Sequence, residues 1–171
     1  MAAEATHEDA RLLLELYNLR REKVLRRARA FVQKDLKFKD FKDYTKKYPD
    51  MSKQGTYVGM VMGYWDMACT LVSKGLLNEE LFNSVTFEHV GLWFKLRPLV
   101  DGWRKQYQYP EFLRAVETVA LRHPGAAMMQ AAVQPKGKSR KSDGGKKGKK
   151  KEKKKEPARP PAPAADDDED E

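Results

Sequence analysis

The chain has 171 residues, 34 Lys and Arg against 25 Asp and Glu for a net charge of +9, and 40% hydrophobic residues. That length suits one compact domain with an appendage, and the positive excess favours acidic partners such as nucleic acid or an anionic surface while saying nothing of fold. The single cysteine, Cys69, excludes an intrachain disulfide, and the longest apolar stretch, interrupted by Asp66, falls short of the roughly 20 residues a spanning helix needs, so no integral membrane segment is expected.

The first ten residues, MAAEATHEDA, contain no basic region leading into an apolar one, so residues 1–7 read as a flexible terminus without a secretory signal and a cytoplasmic address follows. Thr6 and Asp9 resemble a capping box with a shortened acid. Behind them Leu12, Leu13, Leu16, Tyr17, Leu25, Ala28 and Val32 recur near helical spacing, predicting a long first helix broken near Asn18, its other face rich in arginine. Residues 35–48 interleave Phe38, Phe41, Tyr44 and Tyr48 with lysines and predict a short amphipathic helix stopped by Pro49; the same mixture would suit a platform for stacked bases, but the spacing favours a buried aromatic face.

Residues 57–73 are apolar on almost every side and predict a central helix surrounded by others, with Gly59 and Gly63 admitting a close neighbour. Gly75 suits the left-handed position after it, and Asn78 a cap for the next helix, with Glu79 and Glu80 placed favourably against the dipole. Residues 87–106 continue the pattern with Pro98 expected to kink or split it, and Pro110 is expected to open a last helix that ends at His123, Pro124 and Gly125. No run alternates with period two. The expected fold is therefore all-α, a compact array or bundle of five or six helices over residues 8–130, followed by a disordered charged tail over 131–171.

Asp66 is the sharpest residue of the body. As the lone charge on its most apolar helix it needs a partner, since an unpaired buried carboxylate costs several kcal/mol. The structural reading pairs it with an arginine such as Arg20 or Arg97, or with a tyrosine or indole. The functional reading makes it the acid of a pocket lined by Tyr64, Trp65 and Trp93. The three histidines, His7, His89 and His123, are scattered, and neither a His-Glu-x-x-His, a Cys-x-x-Cys nor a Gly-x-Ser-x-Gly spacing occurs, so no metal, cofactor or catalytic set is expected.

The tail is segregated into blocks: Lys136, Lys138, Arg140, Lys141, Lys146, Lys147, Lys149, Lys150, Lys151, Lys153, Lys154 and Lys155 stand against only Asp143 and Glu152, and a Pro/Ala spacer then leads to the acidic run 166–171. Such a block neutralises phosphates and releases their counterions, which predicts binding to DNA, RNA or another polyanion that does not read sequence.

The phrase YVGMVMGYWDMACTLVSKGLLNEELF at residues 57–82, with ELYNLR at 15–20 and WFKLRP at 93–98, resembles a family of small bacterial helical proteins of the domain of unknown function 4760 type. The likeness spans roughly residues 8–123 and rests on the Gly-Tyr-Trp-Asp core and the GLLNEELF connection. It implies a compact helical domain and no established reaction, cofactor or partner, and it does not extend to the tail. The expectation is thus a non-enzymatic interaction protein with an unknown protein partner for its helical domain. A ligand binder or enzyme using the Asp66, Trp65 and Trp93 neighbourhood is the second reading, and a self-associating scaffold the third.

Overall fold

The computed structural model describes residues 4–133, which belong to one compact unit. Every regular element among them is helical: α1 (His7–Arg20), α2 (Lys23–Ala30), α3 (Phe41–Lys47), α4 (Lys53–Ser73), α5 (Glu79–Val85), α6 (Glu88–Gln106), α7 (Arg114–Arg122) and α8 (Ala126–Val133), with a π-helical turn, Phe31–Asp35, continuing α2. The all-α expectation holds, and the count of five or six is corrected to eight among the described residues.

The extra helices have local causes. The long first helix, expected to break near Asn18, breaks a turn later at Glu22, whose ψ of 138° leaves helical geometry and whose carboxylate then accepts the Leu25 amide at 2.8 Å, capping α2. At the other end Pro124 and Gly125 close α7 as expected, but Ala126 restarts the chain as α8, which packs on α6. Residues 131–133 close α8, and the rest of the expected tail lies outside the described residues. Pro98 does not split α6; it is exposed, so the backbone bond it cannot make is lost on the solvent side, where water replaces it. Pro110 does not open α7. Residues 110–113 form a turn in which Leu113, buried and left-handed at φ 57°, delays the helix to Arg114.

Signals that act within a few residues are met. Thr6 accepts the Asp9 amide while the Asp9 carboxylate accepts the Thr6 amide at 2.8 Å, a complete capping box. The other Asp9 oxygen reaches across to accept the Asn78 amide at 2.7 Å, so the same side chain joins the start of α1 to the start of α5. Asn78 in turn accepts from the Leu81 amide, and Gly75 adopts φ +70° after α4. The π-helical turn leaves carbonyls unpaired, and Lys95 of α6 donates to those of Val32 and Gln33.

α4 is the axis of the core. Val58, Val61, Trp65, Ala68, Cys69 and Val72 are nearly solvent-free, and α2, the π-helical turn, α5 and α7 pack around them. Burial raises the pKa of the free Cys69 thiol, as expected of a core cysteine. A second layer of the core stacks Trp103 edge-on against Tyr44 (centroids 5.1 Å) and Phe41 (6.2 Å), so the aromatic side chains of α3 are packing and offer no stacking platform.

Glycine divides into two kinds here. A Cβ on Gly102 would lie 2.3 Å from Phe41 Cγ, so α6 is bare there to admit the ring, whereas Gly59 and Gly63 face open space and admit no neighbour, contrary to expectation. Gly63→Ala is therefore expected to stabilise the domain by roughly 0.5–1 kcal/mol, because only unfolded-state entropy and helix propensity change. Gly102→Ala is expected to destabilise it by about 1–3 kcal/mol through overpacking. Urea unfolding of the two variants beside the wild type checks both signs.

Candidate functional site

A groove opens where α1 and α5 lie side by side over the middle of α4. The helical spacing of α1 puts Leu13, Leu16, Tyr17 and Arg20 along one wall; Phe82, Val85 and Thr86 form the other, and Tyr64 and Trp65 of α4 form the floor. The cleft has a volume of about 290 Å³ and is open along its mouth. Leu16, Trp65 and Phe82 are buried, while Leu14, Tyr17 and Val85 at the mouth are about half exposed or more. The Tyr64 hydroxyl donates to the Leu16 carbonyl at 2.8 Å and fixes α1 to the floor, and burial pushes the Tyr64 pKa up to about 12.

One end of the groove is electrostatic. Arg29 of α2 forks onto Glu88 at the start of α6, Nε to Oε1 at 2.7 Å and Nη2 to Oε2, and it also donates to the Arg20 carbonyl at 3.4 Å. Arg20 sits beside the same carboxylate with Nη1 4.0 Å from Oε2, beyond hydrogen-bonding distance, and donates to Thr86 Oγ1 at 3.4 Å. Its guanidinium stands 5.4 Å from the Tyr17 ring centroid and 6.0 Å from that of Trp65. The Arg20 and Glu88 side chains are 22% and 17% exposed, so this is a partly buried cluster of two guanidinium groups around one carboxylate. The sequence did not point to it. Arg20 lies on the arginine-rich face of the first helix and reads only as a partner for Asp66, and nothing local announces a contact between Arg29 and Glu88, 59 positions apart in the chain.

Asp66 is placed elsewhere. It is half-buried against α7, where its carboxylate accepts the Val116 amide at 3.4 Å, and it pairs with neither Arg20 nor Arg97, nor with a tyrosine or indole. The reason is that α7 begins at Leu113 with no side-chain cap of its own, so Asp66 supplies an acceptor from across the core to a first-turn amide. Desolvation outweighs that one bond and raises its pKa. Tyr64 and Trp65 meet edge to face at 5.0 Å in the groove floor, but neither Asp66 nor Trp93, which is buried on α6, lines it. The expected pocket around Asp66, Trp65 and Trp93 is not assembled. The twelve basic residues of the tail lie outside the described residues, and no cluster of His, Cys, Asp or Glu able to hold a metal occurs among those described.

Behind the floor His89 is fully buried between Phe82 (ring centroids 5.0 Å), Trp65 (5.9 Å) and His123 (5.7 Å). Among the described residues, neither of its ring nitrogens nor the Trp65 indole N–H has a hydrogen-bond partner. Burial first, and the nearby His123 second, push the His89 pKa down to about 4. The folded state thus resists a proton that the unfolded chain takes up. Stability is expected to be level above the ordinary histidine pKa of about 6.5, and to be lost as pH falls from there by up to roughly 3 kcal/mol. Urea melts at about pH 7.5, 5.5 and 4 measure this, and His89→Leu should flatten the curve. Asp66→Asn keeps the acceptor but removes a desolvated charge, so near neutral pH it is expected to match or exceed the wild type by up to about 1 kcal/mol, the difference closing on acidification. Asp66→Ala strands the Val116 amide and should cost about 1–2 kcal/mol in the same melts.

No curated protein and no solved structure matches the chain. The family described as Domain of unknown function (DUF4760) matches residues 5–123, from the cap of α1 through the end of α7, with Arg20, Trp65, Asp66 and Glu88 inside the match and α8 and the Lys-rich segment beyond it. Since the match covers well over half of its length, the chain belongs to this family of helical domains.

Proposed function

We propose that this protein is a non-enzymatic interaction protein: its helical domain makes a specific contact, and its Lys-rich segment grips nucleic acid or another polyanion without reading sequence. The observation behind the second half is the charge block itself, 12 basic residues against two acidic ones over residues 136–155. A lysine ammonium is a compact point charge that suits counterion release better than geometric recognition.

The helical domain adds to this. Between Arg20 and Lys47 there are 12 Lys and Arg against four Asp and Glu. Apart from Arg20 and Arg29, which turn in to Glu88, those basic side chains are exposed on α2, the π-helical turn, α3 and the connections beside them. Two basic stretches of one chain thus support a polyanion partner, and the acidic run 166–171 would compete with that partner for the lysines at the high local concentration a short tether provides.

Fluorescence anisotropy with mixed-sequence DNA and RNA, titrated in salt, tests the reading. Binding on the order of micromolar is expected at moderate salt, with log affinity falling linearly in log salt. Replacing Lys146, Lys147, Lys149, Lys150 and Lys151 with glutamine should lower the slope by up to about 4 for duplex DNA. Deleting residues 166–171 should tighten binding most at low salt. Absence of binding in dilute buffer, or a slope indifferent to the lysine changes, rejects the proposal.

A further inference from the structure

We propose that the groove between α1, α4 and α5 binds a small amphipathic carboxylate, its apolar body laid against Leu16, Trp65 and Phe82 and its carboxylate seated on Arg20. This site is independent of the polyanion reading. Three observations converge on it.

First, the charge at the groove's end is unbalanced. Glu88 is occupied by the forked contact from Arg29, and Arg20 lies beyond hydrogen-bonding distance of it. Among the described residues the only hydrogen bond the Arg20 guanidinium makes is the 3.4 Å contact to Thr86, which leaves most of its five N–H donors without a protein acceptor. Two guanidinium charges around one carboxylate leave one positive charge over, in a position only 22% exposed, where screening is weaker than at an open surface. A single carboxylate balances it and matches the planar fork of arginine. A phosphate dianion would carry its second charge toward Glu88, and so fits less well.

Second, the rest of the lining is apolar. Leu13, Leu14, Leu16, Phe82 and Val85 offer no hydrogen bonds, the Tyr64 hydroxyl is committed to the Leu16 carbonyl and the Thr86 hydroxyl accepts from Arg20, so beyond Arg20 the polar groups are few, with the Tyr17 ring at the mouth. Third, a volume of about 290 Å³ is that of a small-molecule cleft at the lower end of the usual range. It holds one short alkyl or aryl group, not a docked helix.

The test uses the full chain with octanoate as probe and 1-octanol as its uncharged counterpart, read by calorimetry and by the indole N–H resonance of Trp65. Octanoate is expected to saturate with Kd of about 1 mM or below and to shift that resonance, with octanol at least about tenfold weaker, the difference one charge-assisted hydrogen-bonded pair provides. Arg20→Gln should bring octanoate down to the octanol level and leave octanol unchanged. Val85→Glu, at a position 56% exposed, should weaken octanoate by repulsion at the mouth without disturbing the fold. Equal affinity for the acid and the alcohol overturns the proposal. So does the absence of saturation up to about 10 mM, or a Trp65 resonance that stays still while surface lysines and arginines shift. Should Arg20→Gln lower the melting temperature enough to obscure the comparison, Val85→Glu decides: unchanged octanoate affinity in that variant rejects the site.

Discussion

A helix that is apolar around most of its circumference has no stable position at a surface, and α4 is such a helix. Its 21 residues bury Val58, Val61, Trp65, Ala68, Cys69 and Val72 on successive turns, and between its polar ends the exposed positions are confined to a narrow strip through Gly59, Gly63 and Met67. The surrounding elements are arranged by that demand. α2 and the π-helical turn cover one side, α7 another, α5 a third, and α6 brings Trp93, Phe94 and Trp103 into the same core. The placement of Asp66 follows from it as well. A carboxylate on an enclosed helix must meet a donor, and the uncapped first turn of α7 supplies one.

Charge is handled differently on the two flanks of this axis. Under α7 a single acid accepts a single amide. Between α1, α2 and α6, two arginines converge on Glu88, and the forked bond satisfies only one of them. Partly buried pairs of this kind are poor evidence of stability, since desolvation offsets much of their attraction. Their value here is positional: Glu88 fixes Arg29, Arg29 holds the carbonyl end of α1, and Arg20 is left facing an apolar cleft. The unpaired nitrogens of His89 and Trp65 just behind the floor add a further polar cost in the same region, so the least satisfied part of the core lies beneath the groove.

What was legible in the sequence divides by range. Thr6 with Asp9, Asn78, and Gly75 were readable because a cap or a left-handed stop is settled within a few residues, and the all-α class followed from periodicity summed over long segments. The family resemblance, carried by residues 57–82, was legible for the same reason: it lies on the most constrained helix and its exit. Helix boundaries were less so. Pro110 looks like a helix start, and only the burial of Leu113 in a left-handed turn moves that start to Arg114. The cleft and its arginine pair were not legible at all, because residues 20, 29 and 88 meet only through tertiary packing, and an arginine-rich helix face ordinarily reads as surface. Asp66 was recognised as needing a partner, but a backbone amide from a distant helix has no signature in the side chains.

Asp9 does more than start a helix. Because its carboxylate grips both Thr6 and the Asn78 amide, the beginnings of α1 and α5 are clamped together by short bonds, while at their far ends the hydrogen bond between Arg20 and Thr86 is a long one. The pair is built like a clothes-peg with its spring at Asp9. Were the groove to take the guest proposed for it, the weaker hold at the Arg20 end would tie the guest's size to the freedom of that guanidinium.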